Sequence, residues 1–129
     1  MATAGWSSIN RTLASGVFVL ALIVVAVLML TPGAALPKTN IWDKLEHAAA
    51  FAGLAVLGFL AFPERKWAWW LALGLVAFGS VCETLQMFVP GRDASPEDAI
   101  ANITGVLIVS GSWRLAHCAM DWRSAHNSQ

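Results

Sequence analysis

The stretch WAWWLALGLVAFGSVCETLQMFV, Trp67 to Val89, decides how the rest of the chain is read. It is long enough to cross a bilayer as a helix, which takes about 20 mostly apolar residues. Yet it carries Glu83 and Gln86 three positions apart, on one helical face. Glu83 lies six residues inside Val89, or about 9 Å deep at about 1.5 Å per residue. A carboxylate in hydrocarbon costs several kcal/mol, so it is expected to face the interior of a helix bundle and to meet a partner there.

The composition of the whole chain agrees with a membrane setting. Of 129 residues, 57% are hydrophobic and 12% charged, with a mean hydropathy of +0.62. Soluble domains run nearer to about 45–50% apolar and about 25% charged. The length fits one domain, residues 1–129. Eight acidic and eight basic residues balance, which gives no basic surface for nucleic acid. Cys82 and Cys118 form no paired motif and read as small apolar fillers.

Three further segments resemble Trp67–Val89 in hydropathy. They are Leu13–Leu30, which has no charge, Leu45–Phe62, and a stretch from Pro96 to about Trp113. The first is expected to be kept as a helix rather than cleaved near Gly33–Ala35, because its apolar core exceeds the usual roughly 7–15 residues of a signal peptide. The links TPGAALPKTNIWDK, PERK and PGRDASPED are short and contain proline, so sequential helices become antiparallel neighbours. The expected fold is all-α, an antiparallel bundle of four transmembrane helices, with a polar, disordered tail over 119–129.

Lys and Arg set the expected orientation. Arg11, Arg65, Lys66, Arg114 and Arg123 flank one side, and Lys38, Lys44 and Arg92 the other. The excess puts both termini in the cytoplasm. Trp67, Trp69, Trp70 and Trp113 then form an inner aromatic belt, and Trp42 marks the outer interface.

This topology gathers the unusual polar residues at one end. Asp43 and His47 share a face at the start of the second helix, Glu83 and Gln86 near the end of the third, and Asp98 and Asn102 at the start of the fourth. Ser95 fits an N-cap, Pro96 the first helical position, and Asp98 the capping-box spacing, unless Asp98 turns inward with Asn102. Glu83 is expected to meet His47, Arg92 or Asn102, while the first helix serves as a packing or lipid-facing wall. Ala49 with Gly53, and Ala101 with Gly105, are small residues at a spacing that lets helices approach closely. Gly79, one turn before Glu83, leaves room beside the carboxylate.

The segments DKLEHAAAF, ETLQMFVPGRDAS and EDAIANITG together resemble the VanZ-like family of small membrane proteins. The matching positions are Asp43, Lys44, His47, Phe51, Glu83, Gln86, Arg92, Ser95, Asp98, Asn102 and Gly105, in the family's order and spacing. Ala55 stands where the family often has glycine, and Val109 where a second small residue often follows Gly105, which concerns packing only. The resemblance implies a bacterial cell-envelope protein of the cytoplasmic membrane. The family is named for a protein linked to low-level resistance to the glycopeptide teicoplanin.

The cluster admits several chemistries. One is a pocket formed by Asp43, Lys44, His47, Glu83, Gln86, Arg92, Ser95, Asp98 and Asn102 that holds a lipid headgroup, a saccharide or a glycopeptide-related ligand, with Arg92 able to grip phosphate or carboxylate. Another is a membrane enzyme acting on lipid-linked saccharide or peptidoglycan precursors, with His47 and Glu83 as acid and base. A metal would use Asp43, His47, Glu83 and Asp98, but a single histidine without H-E-x-x-H or a cysteine pair leaves the expectation at no metal and no cofactor. A purely structural network in an assembling or partner-binding protein is the remaining reading. The expected partners are the lipid bilayer and, beyond it, a second copy or another envelope protein.

Overall fold

The computed structural model describes residues 8–36 and 43–126, so Lys38 and Trp42 lie outside the described residues. Its helices are α1 (Ser8–Leu30), α2 (Asp43–Ala61), α3 (Ala68–Gln86) and α4 (Pro96–His126), with short 3-10 turns at Gly33–Ala35 and Arg65–Trp67. All four helices are long and apolar enough to cross a membrane, and no strand occurs among the described residues. Helices satisfy their own backbone hydrogen bonds, which hydrocarbon cannot do for them. Exposed hydroxyls follow the same rule: those of Ser80, Thr84, Thr104 and Ser112 each donate to the carbonyl four residues back.

The helices form an antiparallel bundle, and the end-to-end contacts prove the directions. Arg11 near the start of α1 pairs at 3.0 Å with Glu64 just past α2. Arg65 before α3 pairs at 2.6 Å with Asp121 late in α4. Gln86 at the end of α3 reaches Met29 at the end of α1. Glu64 lies outside the spans, and the Arg11 guanidinium, helped by the Trp67 indole N–H, holds its carboxyl below the usual range. That contact therefore helps above the ordinary carboxylate pKa and fades as pH falls through the lowered one.

Helix α2 sits at the centre and touches all three others, while α1 and α4 share no interface among the described residues. Its broadest interface is with α4, and Gly105 makes this possible. A side chain at Gly105 would run into the Ala48 carbonyl and lie 2.9 Å from the Ala52 backbone nitrogen. The close surface of α2 is thus Ala48–Ala52, one position from the expected Ala49–Gly53 pair. Gly53 is exposed with open space around it. Gly79 admits the ring of Phe51, which would lie 2.8 Å from an added Cβ. Phe51 is fully buried, so Gly79 makes room for a core ring rather than for the carboxylate.

Helix α4 continues to His126 instead of ending near Trp113, so the segment from 119 to 126 is helical, not the expected frayed tail. Its polar side chains sustain the helix locally. His117 and His126 ring nitrogens bond the carbonyls of Trp113 and Trp122, Ser124 bonds that of Met120, and Asp121 is anchored by Arg65. At about 1.5 Å per residue the 31-residue helix is longer than the roughly 30 Å hydrocarbon core, so its last turns extend past the other helices.

Two other expectations are redrawn. Trp67, Trp69 and Trp70 are exposed as an aromatic belt requires, but Trp113 stacks on Phe59 at 4.8 Å and belongs to the packing. Cys82 is a buried filler, whereas Cys118 is exposed on α4.

Because backbone atoms oppose Gly105, Gly105→Val is expected to lower stability by about 1–3 kcal/mol. Gly53→Ala and Gly111→Ala, both in open space, are expected to leave it unchanged or raise it slightly. Thermal melts of the detergent-solubilised variants read the difference.

Candidate functional site

Three helices converge on Glu83, which is 7% exposed. From α4, Asn102 Nδ2 donates to Glu83 Oε1 at 2.9 Å. From α2, His47 Nδ1 lies 3.2 Å from the same oxygen and 3.2 Å from Asn102 Oδ1. Both neighbours of Nδ1 are acceptors, so the proton belongs on Nδ1 and is shared between them. The other ring nitrogen, Nε2, lies 4.0 Å from Asp43 Oδ1. Glu83 thus meets two of its three expected partners, while Arg92 stands apart.

The remaining residues form an adjoining layer. Lys44 Nζ lies 3.4 Å from Asp98 Oδ1. Asp98 Oδ2 accepts from Ser95 Oγ at 2.8 Å and from the Ser95 backbone at 3.2 Å, and Ser95 Oγ accepts from the Asp98 amide at 3.3 Å. This is a reciprocal capping box made with aspartate. The choice between capping and turning inward is resolved as both: Oδ2 caps α4, and the buried carboxylate also borders the cavity. Gln86 donates to the Met29 carbonyl at 2.8 Å, so α1 enters the site through its backbone although it brings no polar side chain.

Two cavities open at this end of the bundle. The polar one, about 190 Å³, is bordered by Asp43, His47, Gln86, Arg92, Asp93 and Asp98. The other, about 230 Å³, runs between α1 and α2 past Val25, Leu28, Met29, Ala50 and Phe51. Asp43, His47 and Arg92 border both. Arg92 is half-buried and forms no ion pair with the described residues, which leaves its guanidinium open to the cavity. The loop is held over α1 by Gly33, whose amide donates to the Pro90 carbonyl at 3.4 Å. Gly91 turns there with a φ of +73°, the left-handed region that favours glycine.

Glu83 Oε2 is buried and meets no donor among the described residues. A buried unpaired acceptor costs about 1–3 kcal/mol, more when charged. A network serving helix register alone gains nothing from that cost. A larger cavity of about 490 Å³ lies at the opposite end beside Trp67 and Trp70. Its charged residues, Arg11 and Glu64, already pair with each other, so it offers little free polar chemistry.

The family model described as VanZ/LLP1 matches residues 6–117. The chain belongs to the VanZ-like family. No curated protein and no solved structure matches it. In this VanZ-like protein the match covers α1 to α3 and most of α4, and so includes every residue of the polar cluster.

The sequence reading missed Asp93 and the Met29 carbonyl as site groups. Asp93 is a charged neighbour of Arg92 in the loop, a signal available without a structure. The Met29 carbonyl and the apolar wall carry no such mark.

Replacing Asn102 by leucine keeps volume but strips Glu83 Oε1 of a donor and His47 of an acceptor. Asn102→Leu is expected to cost about 1–3 kcal/mol in reversible unfolding. Combined with Glu83→Gln, the losses should be non-additive, because the two side chains share one hydrogen bond.

Proposed function

We propose that this VanZ-like protein binds an amphiphile at the extracytoplasmic face of the bacterial cytoplasmic membrane, holding the polar head of a lipid-linked saccharide or related anionic lipid. The observation that carries the reading is the sharing of Asp43, His47 and Arg92 between a polar cavity and an apolar one. A molecule with a polar head and a hydrocarbon chain satisfies both at once. Each cavity is below the roughly 300–1,000 Å³ of a drug-sized site, so a headgroup fits and a whole glycopeptide does not. Carboxylates of Asp43, Asp93 and Asp98 accept hydrogen bonds from sugar hydroxyls, and the open Arg92 guanidinium takes a phosphate. Sequestering cell-wall precursors or lipids in this way would alter envelope properties, glycopeptide sensitivity among them.

A second reading, an enzyme on the same ligand, draws on His47. A buried carboxylate on Nδ1 with Nε2 left towards the cavity is how a histidine is oriented as a general base. Under that reading purified protein turns over lipid-linked saccharide. Under the binding reading the ligand is recovered intact.

The test is lipid capture in nanodiscs containing polyprenyl-phosphate sugars, read by native mass spectrometry. Arg92→Ala is expected to weaken capture about tenfold or more, from the loss of a charge-assisted contact. Arg65→Ala at the other end should leave it unchanged. Equal capture by the Arg92 variant would sink the proposal. If His47→Ala abolishes capture only by collapsing the thermal melt, the cluster is a structural network instead.

The lysine and arginine distribution favours cytoplasmic termini. Cys118 is the exposed thiol and Cys82 is buried, so a membrane-impermeant maleimide reads orientation directly. Spheroplasts should stay unlabelled and inverted vesicles become labelled at Cys118.

A further inference from the structure

Carboxylates outnumber guanidinium groups around the polar cavity, so a cation there would offset charge beside an anionic headgroup. Asp43, Asp93 and Asp98 border it, with Arg92 as the guanidinium beside them. A site of this sign is suited to a cation.

Three of its side chains are arranged for one. Ligand atoms of Asp43, His47 and Asp98 all lie within 4.8 Å of one another. Around a tetrahedral zinc ion, with bonds of about 2.0–2.2 Å, ligand atoms sit roughly 3.3–3.6 Å apart, so the group has to close by about an ångström to bind. Asp43 is 62% exposed and free to close the remainder. Asp98 is held in place by the Ser95 capping box, so one ligand is fixed and one is adjustable.

The second observation is independent of the carboxylates. His47 is 9% exposed, its Nδ1 is engaged by Glu83 and Asn102, and its Nε2 has no hydrogen-bond partner among the described residues. A metal-binding histidine characteristically donates its other N–H to a carboxylate, which fixes the tautomer and strengthens the ligand. Glu83 stands in that position. Its burial, costly for a register-setting residue, has a purpose if the imidazole it orients carries a metal.

We propose that Asp43, His47 Nε2 and Asp98 hold a divalent cation of borderline softness, Zn²⁺ or Mn²⁺, with Glu83 as the outer acceptor that positions the imidazole. One nitrogen and two carboxylate ligands suit those ions better than the all-oxygen cations Mg²⁺ and Ca²⁺. Lys44 stands 3.4 Å from Asp98 Oδ1 and is 32% exposed, a mobile ammonium occupying the cation's side of that carboxylate. The assignment differs from the set read in the sequence in one residue: Glu83 moves from ligand to outer shell. Three protein ligands leave a coordination position for water or for an anionic group. The ion would reconcile an acidic cavity with a phosphate-bearing amphiphile, but its binding does not depend on that ligand.

The experiment uses the full chain in detergent, stripped with chelator and then dialysed against Zn²⁺ or Mn²⁺ alone. Elemental analysis and titration calorimetry should find roughly one ion per chain. Asp43→Asn, at an exposed position that leaves the melt unchanged, should weaken binding at least about tenfold, and His47→Gln should abolish it. Glu83→Gln should weaken it roughly ten- to a hundredfold without removing a ligand. X-ray absorption at the zinc edge should show a single imidazole. Lys44→Met should bind the metal at least as tightly as the native chain. Substoichiometric metal, or native affinity in a well-folded Asp43→Asn, overturns the site. Lipid capture by a chain that binds no metal would overturn the ion and leave the amphiphile reading standing. Metal binding without lipid capture would do the reverse.

Discussion

At the polar end of the bundle three helices meet on one oxygen. Glu83 Oε1 accepts from Asn102 on α4 and lies 3.2 Å from His47 Nδ1 on α2, so a single buried atom joins three helices. In hydrocarbon such a contact has no aqueous competitor, and each helix must present the right face at the right depth to make it. The same oxygen decides what the site can do. By accepting a hydrogen bond from Nδ1 it fixes the imidazole, with Nε2 4.0 Å from Asp43.

That contact requires the backbones to come close, and small residues allow it. Gly105 lets α4 rest on the Ala48 and Ala52 backbone of α2, and Gly79 admits Phe51 from α2 into the surface of α3. Lipid supplies little drive for one helix to bury against another, so close packing and interhelical hydrogen bonds carry the association. The glycines and the polar cluster are therefore parts of one arrangement. The first bring α2 within reach of α3 and α4, and the second fixes their rotation. Helix α1 stands outside this core as a largely lipid-facing wall, tied in by the Gln86 bond to Met29 and by the loop contact at Gly33.

Much of the site was legible because its residues are out of place. A glutamate, a histidine and two aspartates near the ends of apolar segments announce themselves by the cost of putting them there. Their depth follows from counting residues at a fixed helical rise. The partners were less legible. Arg92 and Asn102 were equally reasonable for Glu83, since a flexible loop arginine and a helical asparagine reach similar depths. The helix took the rigid neighbour and left the arginine to the cavity. The apolar cavity was invisible, because Val25, Leu28 and Ala50 differ in nothing from residues that face lipid. The length of α4 is hidden for the opposite reason. Its last turns are polar, and a polar terminal segment has the composition of a disordered tail, although local side-chain bonds sustain a helix there.

The sequence by itself determined the four apolar helices, the approximate ends of the first three, and the gathering of polar pairs at one level, because hydropathy and helical spacing are local properties. Only the tertiary structure decided how each helix is rotated about its axis. The choice of Ala48–Ala52 over Ala49–Gly53 shows why. Both faces are small and apolar, and lipid is as apolar as a neighbouring helix, so composition cannot rank them. The ranking comes from which rotation lets His47, Glu83 and Asn102 close on one another.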